Sequence, residues 1–256
     1  MILVIDAGNT RIKWALRAGG GWVDRDPARD AIATGNAMAL GKRSAAWRDV
    51  EAVHACCVAG PVVEAAIAAA LGPLARKLSW CRSGVRVQAG VGNGYANPGQ
   101  LGADRWAAMI GAWGLVAGST ARDCLVVNCG TATTIDVLRR RDDGRPGAEF
   151  VGGVILPGLS MMRTALARNT AQLPLASGVY LELPRQTDDA IETGCIEAQV
   201  GAVLRLSRRL RPESVCVLSG GAAGALAGHL TLPVECVENL VLEGLARIAE
   251  ENSVLP

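Results

Sequence analysis

Apolar and polar positions along this chain alternate between strand-like and helix-like periods. Four apolar residues, Ile2 to Ile5, run into the polar stretch Asp6-Ala7-Gly8-Asn9-Thr10, after which Ile12, Trp14 and Leu16 alternate with other residues. That pattern predicts a strand, a tight turn and a second strand. Ala18-Gly19-Gly20-Gly21 then predicts a flexible turn, and Asp24 to Asp30 a polar loop. Asn36 to Val50 reads as helical, with Leu40 and Trp47 on its buried side. Ala52 to Ala59 is an apolar run of strand length, and Gly60-Pro61 opens an alanine-rich helix to Ala75, with proline suited to a first helical turn. Leu78 to Cys81 and Val85 to Gln88 read as short strands. Gly90 to Gly99 reads as a loop, either lying over a site or simply connecting its neighbours, and Leu101 to about Ala117 as a helix with Asp104 near its start.

The second half repeats the alternation. Strands are expected at Cys124 to Asn128, Thr133 to Leu138 and Glu149 to Leu156, with a helix after Pro157-Gly158 and a loop over Leu173 to Pro184. Thr187-Asp188-Asp189 reads as the cap of a long helix whose apolar stripe holds Ile191, Ile196, Val200 and Val203. Val215 to Leu218 is a strand entering the glycine turn Ser219-Gly220-Gly221-Ala222, a last strand lies near Val234, and Asn239 to Glu250 is helical. Strands alternating with helices predict an α/β fold with mixed sheets.

Two turns in this pattern carry chemistry. The first offers the Asp6 carboxylate, the bare backbone of Gly8, the short polar side chains of Asn9 and Thr10, and Lys13 on the following strand. Carboxylate, glycine, hydroxyl and lysine are what a site for nucleotide phosphates and Mg2+ requires. Gly-Asn is also ordinary hairpin chemistry. The second turn shifts the balance: Val126-Val-Asn-Cys-Gly-Thr repeats the order of Val4-Ile-Asp-Ala-Gly-Asn, and Asn128 lies 122 positions after Asp6 in a chain of 256 residues. Half a chain is the spacing of a duplicated domain, so domains of 1–118 and 119–256 are expected. Two such turns facing each other could grip a polyphosphate from both sides.

Asp104 has two readings. It can cap its helix, worth about 1 kcal/mol. It can also serve as a base, kept ionised by the positive helix end, while Arg105 pairs with a substrate carboxylate or phosphate.

Composition narrows the class. Half the residues are hydrophobic, 4% are aromatic and the formal net charge is +2, while the basic runs at Arg139–Arg141 and Arg205–Arg211 read as solvated faces. A nucleic-acid partner is not expected. The eight cysteines lack metal-ligand spacing and lie mostly in apolar runs, as reduced core residues do. The two histidines, His54 and His229, read as structural. No apolar stretch has the length of a membrane span and no signal-like segment opens the chain, so a cytoplasmic protein without membrane contact is expected.

With these pieces in order, the chain resembles the type III pantothenate kinases, a family also described as Bvg accessory factors. The resemblance rests on Asp6-x-Gly8-Asn9-Thr10 with Lys13, Gly92-Asn93-Gly94-Tyr95-x-Asn97-Pro98, Gly102-Ala103-Asp104-Arg105-Trp106, Gly130-Thr131-Ala132-Thr133-Thr134 and Thr187-Asp188-Asp189-Ala190-Ile191. It implies the duplicated actin-like fold shared by acetate and sugar kinases and heat-shock chaperone ATPases. It implies that Asp6, Ala7, Gly8, Asn9, Thr10, Arg11, Ile12 and Lys13 hold ATP phosphates and Mg2+, and that Thr131 touches ATP. Tyr95, Gly102, Ala103, Asp104, Arg105 and Thr187 would surround pantothenate, with Asp104 the base that takes a proton from its primary hydroxyl on the way to 4'-phosphopantothenate, the first step of coenzyme A biosynthesis. It further implies a homodimer with the substrate site at the interface. The family usually carries Asp at the position of Asn128, where it helps bind an activating K+ or ammonium ion, so weaker dependence on that ion or a different locus for it is expected here. Two other readings stay open on residues alone: a regulatory protein that keeps the nucleotide site and contacts a transcription factor or nucleic acid, and a kinase for another small hydroxy acid.

Overall fold

The protein is described by a computed structural model covering residues 1–23 and 30–254. The polar loop expected over Asp24 to Asp30 lies, apart from Asp30, outside the described residues. In chain order the strands and helices begin β1 (Ile2–Ala7), β2 (Arg11–Ala18), β3 (Gly21–Val23), β4 (Ala31–Ala33), β5 (Ala52–Cys57), α1 (Pro61–Leu71), β6 (Leu78–Trp80), β7 (Val87–Gln88), β8 (Val91–Asn93) and α2 (Ala103–Val116). They continue β9 (Asp123–Cys129), β10 (Ala132–Arg140), β11 (Ala148–Pro157), α3 (Leu159–Asn169), α4 (Thr187–Ser207), β12 (Val215–Ser219), α5 (Ala223–Ala227), β13 (Val234–Cys236) and α6 (Leu240–Val254). The chain divides into two compact units: Met1–Gly118 with Arg141–Phe150 and the segment from Asn239, and Ser119–Arg140 with Val151–Glu238.

In unit 1 the strand order is β3-β2-β1-β5-β6, with β4 also paired to β2. β1 and β2 are antiparallel, and β5 and β6 run parallel to β1. The β2–β3 turn places Gly19 and Gly20 at φ of 56° and 79°, the left-handed pair that a two-residue hairpin demands. One sheet face buries Leu3, Ile5 and Ala7 with Leu40, Trp47, Ile67 and Leu71. The first of the expected helices is a 3-10 stretch, Thr34–Trp47, and α1 stops at Leu71 rather than Ala75 because Gly72 turns to φ 55° ahead of Pro73. α2 and α6 cross so closely that a Cβ on Gly111 would stand 2.5 Å from the Leu240 carbonyl oxygen, and one on Gly244 would stand 1.7 Å from that of Ala107. Small residues at this crossing are why α6, far along the sequence, joins the first unit.

Unit 2 repeats the plan. β9 is antiparallel to β10 and parallel to β12, which is parallel to β13, giving β13-β12-β9-β10-β11. The central strand, its hairpin partner and its parallel neighbour therefore occupy equivalent places in both units. The stripe of α4 is buried as expected, Ile191, Ile196, Val200 and Val203 being 7%, 4%, 3% and 0% exposed, against Leu125, Val127 and Leu218 of the sheet.

The Gly90–Gly99 segment, expected as a loop, is one only in part. It contains β8, buried, paired antiparallel with β7 and parallel with Ala148–Phe150. So short and glycine-rich a strand has no periodicity to betray it. A Cβ on Gly92 would meet the Glu149 carboxylate at 2.1 Å, and one on Gly94 the Phe150 carbonyl oxygen at 2.1 Å, so close backbone approach explains the composition.

Candidate active site

The first turn is built by register. Ala7 pairs with Ile12 and Asp6 with Lys13, leaving the four residues Gly8, Asn9, Thr10 and Arg11 to turn, with the Gly8 N–H donating to the Arg11 carbonyl at 3.1 Å. Asn9, Thr10 and Arg11 are exposed while Asp6 and Lys13 are half-buried beneath them. The thiol of Cys56, beside Asp6 on parallel β5, donates to Asp6 Oδ1 at 3.5 Å. Burial, then the neighbouring charge of Asp104, push the Asp6 carboxyl up to about 6, with Lys13 and the Cys56 thiol pulling the other way. Asp6 and Asp104 thus belong to one electrostatic cluster in unit 1.

Asp104 is the second residue of α2. The N-cap is Gly102, which makes no side-chain capping bond, so the capping reading of Asp104 falls away in its strict form. Its Oδ1 accepts the Arg105 N–H at 2.7 Å, and a Cβ on Gly102 would stand 2.7 Å from the same oxygen. Burial pushes Asp104 above the ordinary carboxylate range, against the pull of the Arg105 N–H and guanidinium. A carboxylate that is harder to ionise is also the stronger base.

Beside Asp104, Arg105 is 5% exposed. Its Nη1 donates to the Tyr95 hydroxyl at 3.3 Å, and its carbon lies 5.8 Å from the Tyr95 ring centre and 5.9 Å from that of Phe150. Those two rings stack, 5.6 Å apart and 16° from parallel. Tyr95 is set by Asn93, whose Oδ1 accepts the Tyr95 N–H at 3.1 Å and whose Nδ2 donates to the Ser83 carbonyl at 2.7 Å; the Ser83 hydroxyl in turn donates to the Leu101 carbonyl. A buried cation beside a phenol, next to a carboxylate of raised proton affinity, suits an alcohol that also carries an anionic group.

Oxygen-ligated divalent metal fits these residues. The charge of Asp104 raises the proton affinity of Asp6, with Lys13 opposing, and a hard cation beside Asp6 would relieve that repulsion.

Unit 2 carries the second turn. Cys129 pairs with Thr133, leaving Gly130, Thr131 and Ala132, with the Gly130 N–H donating to Ala132 at 3.0 Å. The Gly158 N–H donates to the Thr131 carbonyl at 3.0 Å, and a Cβ on Gly158 would stand 2.3 Å from the Gly130 oxygen. Gly220, at φ 97°, would drive a Cβ to 2.4 Å from the Cys129 oxygen, so packing explains that glycine. Asn128 stands opposite Thr134 and beside Ser219.

Thr187 is not the helix cap expected of it. The N-cap of α4 is Gln186, and the carboxylates of Asp188 and Asp189 instead accept the Ser177 and Val179 N–H groups at 3.2 and 2.9 Å. Thr187 borders an apolar cavity of about 810 Å³ with Met161, Leu166, Ile191 and Cys195. Of the expected site residues, Asp6, Lys13, Asp104, Arg105 and Tyr95 therefore lie in unit 1, and Thr131 and Thr187 on separate elements of unit 2. Reading the sequence missed Cys56 and Phe150, because each acts through a partner distant in sequence. The histidines stand apart: His54 is buried in β5, which holds its proton affinity down, and His229 packs against Tyr180. All eight cysteines are free thiols, only Cys236 being exposed. Among the described residues no helix is long and apolar enough to cross a membrane.

A profile of the type III pantothenate kinases matches residues 2–209. The chain is 48% identical over 255 residues to the type III pantothenate kinase of Aromatoleum aromaticum, covering 99% of each. Among solved structures it is similar to a Campylobacter jejuni protein described as a Baf family transcriptional activator, at TM-score 0.62 and 17% identity over 99% of this chain and 100% of that one. It is similar also to a Sinorhizobium meliloti protein described as a 2-dehydro-3-deoxygalactonokinase, at TM-score 0.62 and 14% identity over the whole of both. With the likeness to a ParM mutant, at TM-score 0.51 and 12% identity over 98% of each chain, they establish the fold, the duplicated one of sugar kinases and actin-like ATPases.

Proposed function

The chain belongs to the type III pantothenate kinase family, enzymes that phosphorylate pantothenate in coenzyme A biosynthesis, and we propose that in this member Asp104 is the base of that reaction. ATP is the phosphoryl donor, with a divalent metal. The observation that carries the assignment of Asp104 is its placement: a carboxylate pushed up by burial, coupled to Asp6 and adjoining the buried Arg105 guanidinium.

Each residue then has a task. Lys13 and the backbone of Ala7 to Ile12 take the nucleotide's phosphates, and Asp6 holds Mg2+. Mg2+, when bound, offsets charge on the transferring phosphoryl group. Arg105 and the Tyr95 hydroxyl take the substrate's carboxylate, Gly102 and Ala103 leave room beside it, and Asp104 accepts the hydroxyl proton on a carboxylate oxygen. In a loose phosphoryl-transfer transition state that proton leaves late, so a carboxylate of modestly raised affinity suffices; positioning and charge neutralisation supply the rest.

Thr131 is assigned to ATP and Thr187 to pantothenate on the family pattern. That pattern also makes the enzyme a cytoplasmic homodimer with its substrate site at the interface. α4 spends its own stripe within unit 2, while the segment before it leaves Leu175, Val179 and Leu183 exposed by 66%, 61% and 83%, apolar surface that a second copy would cover. Asn128 in place of a carboxylate weakens the hold on K+ or ammonium.

The test is ADP release by purified protein with ATP, Mg2+ and K+, with and without pantothenate. Pantothenate-dependent turnover yielding a phosphorylated product is expected. ATP binding without pantothenate-dependent ADP would overturn the substrate.

A further inference from the structure

We propose that Thr34 is a positioning residue of the first phosphate turn, one that aims the turn's backbone N–H groups at the nucleotide; the proposal rests on the nucleotide-binding role given to that turn above. Thr34 lies well beyond the turn in sequence, at the junction of β4 with the 3-10 stretch, and is 7% exposed. Its hydroxyl donates to the Gly8 carbonyl at 2.7 Å and its N–H to the Thr10 carbonyl at 3.1 Å. One residue thus holds the carbonyls on either side of Asn9.

The cap position of the 3-10 stretch is held by Ala33, so the Thr34 hydroxyl has no capping task there and serves the turn. The consequence follows from peptide planarity. In a trans peptide the C=O and N–H point in opposite directions. Fixing the Gly8 carbonyl toward Thr34 therefore turns the Asn9 N–H away from Thr34, and fixing the Thr10 carbonyl does the same for the Arg11 N–H. Oriented N–H groups are what a phosphate oxygen binds. The β2–β4 pairing of Arg11 with Ala33 keeps Thr34 in register with the turn.

In the second turn the Thr131 and Cys129 carbonyls are held by backbone N–H groups, those of Gly158 and Ala222 at 3.0 and 3.1 Å. The first turn's Gly8 carbonyl is held instead by a side-chain hydroxyl, which substitution can remove while leaving the backbone intact.

Thr34→Val keeps the shape and removes the hydroxyl; Thr34→Ser restores it; Thr34→Ala stands in should the valine variant fail to fold. Binding of Mg2+ with the non-hydrolysable analogue AMP-PNP is measured by calorimetry on the full chain, with KM for ATP and for pantothenate and the melting temperature alongside. Thr34→Val or Thr34→Ala is expected to weaken nucleotide binding and raise KM for ATP roughly tenfold, the worth of one hydrogen bond. KM for pantothenate should hold and Thr34→Ser should recover most of the loss. Unchanged nucleotide affinity overturns the proposal, as does a parallel loss for both substrates with a lowered melting temperature. A wild type that binds AMP-PNP yet shows no pantothenate-dependent turnover counts against the proposed substrate alone, because the calorimetric comparison still decides the role of Thr34.

Discussion

The two hairpin turns are copies of one device that have kept their scaffold and parted in chemistry. Both sit between a central strand and its antiparallel partner, with a parallel strand on the other side. In the first, Asp6 faces Lys13 across the ladder and Cys56 beside it; in the equivalent second register, Asn128 faces Thr134 and Ser219. The first turn spans four residues and the second three. At the register next to the turn, charge is thus concentrated in one copy, where Asp104 and Arg105 adjoin it, while the other places Asn128, Thr134 and Ser219 there. Duplication supplied two equal frames, and the first places Asp6 and Lys13 where the second places Asn128 and Thr134.

That asymmetry is strongest if the charges on one side are dispensable on the other. Lys13→Ala should lower kcat/KM by on the order of a hundredfold or more, as loss of a charge aimed at a transferring phosphoryl group does, whereas Thr134→Ala at the matching register should cost less than tenfold. Steady-state kinetics of the pair settles it, and equal losses would break the comparison.

Asp6→Asn should abolish most activity and yet stabilise the protein free of ligands. The sign follows from the shift: Asp6 moves from 3.8 to about 6 on folding, so its ionised form opposes the folded state. That cost is absent below the unfolded value, grows as pH rises between the two and is complete above about 6. The melting temperature of Asp6→Asn should therefore exceed wild type by most at pH 7 to 8 and converge with it toward pH 4, with a free-energy gap of at most roughly 3 kcal/mol. For the same reason kcat/KM for ATP should fall on the acid side with a group near 6. A wild type more stable than Asp6→Asn at pH 8 would remove the electrostatic account.

Tyr95→Phe, which deletes the hydroxyl that accepts from Arg105, should raise KM for pantothenate several-fold and leave that for ATP alone. The smallest effect belongs to the second turn. Wild type should depend weakly on K+, and Asn128→Asp should strengthen that dependence; full wild-type dependence at low millimolar K+ would count against the reading of Asn128.

Much of this was legible in the sequence because it was local. The strand-turn-strand at Asp6, its second copy at Asn128, the start of α2 at Asp104 and the buried stripe of α4 each follow from a few neighbouring residues. What escaped was set by distance. β8 is too short and glycine-rich for a periodic signal, and its glycines answer to Glu149 and Phe150. α6 joins unit 1 because Gly111 and Gly244 admit each other's helices, a fact visible only once both are placed. Asp104 and Thr187 looked like caps because acidic and hydroxyl residues at helix starts usually are, but Gly102 and Gln186 hold those positions. Thr34 and Cys56 gave no local sign at all.

The most direct test of the account is pantothenate-dependent ADP release by Asp104→Asn, with AMP-PNP binding measured on the same preparation. The substitution should cut kcat by roughly a hundredfold or more, as loss of a general base does, while nucleotide affinity stays close to wild type. A kcat within a few-fold of wild type would mean that the hydroxyl proton leaves by another route and that Asp104 is not the base.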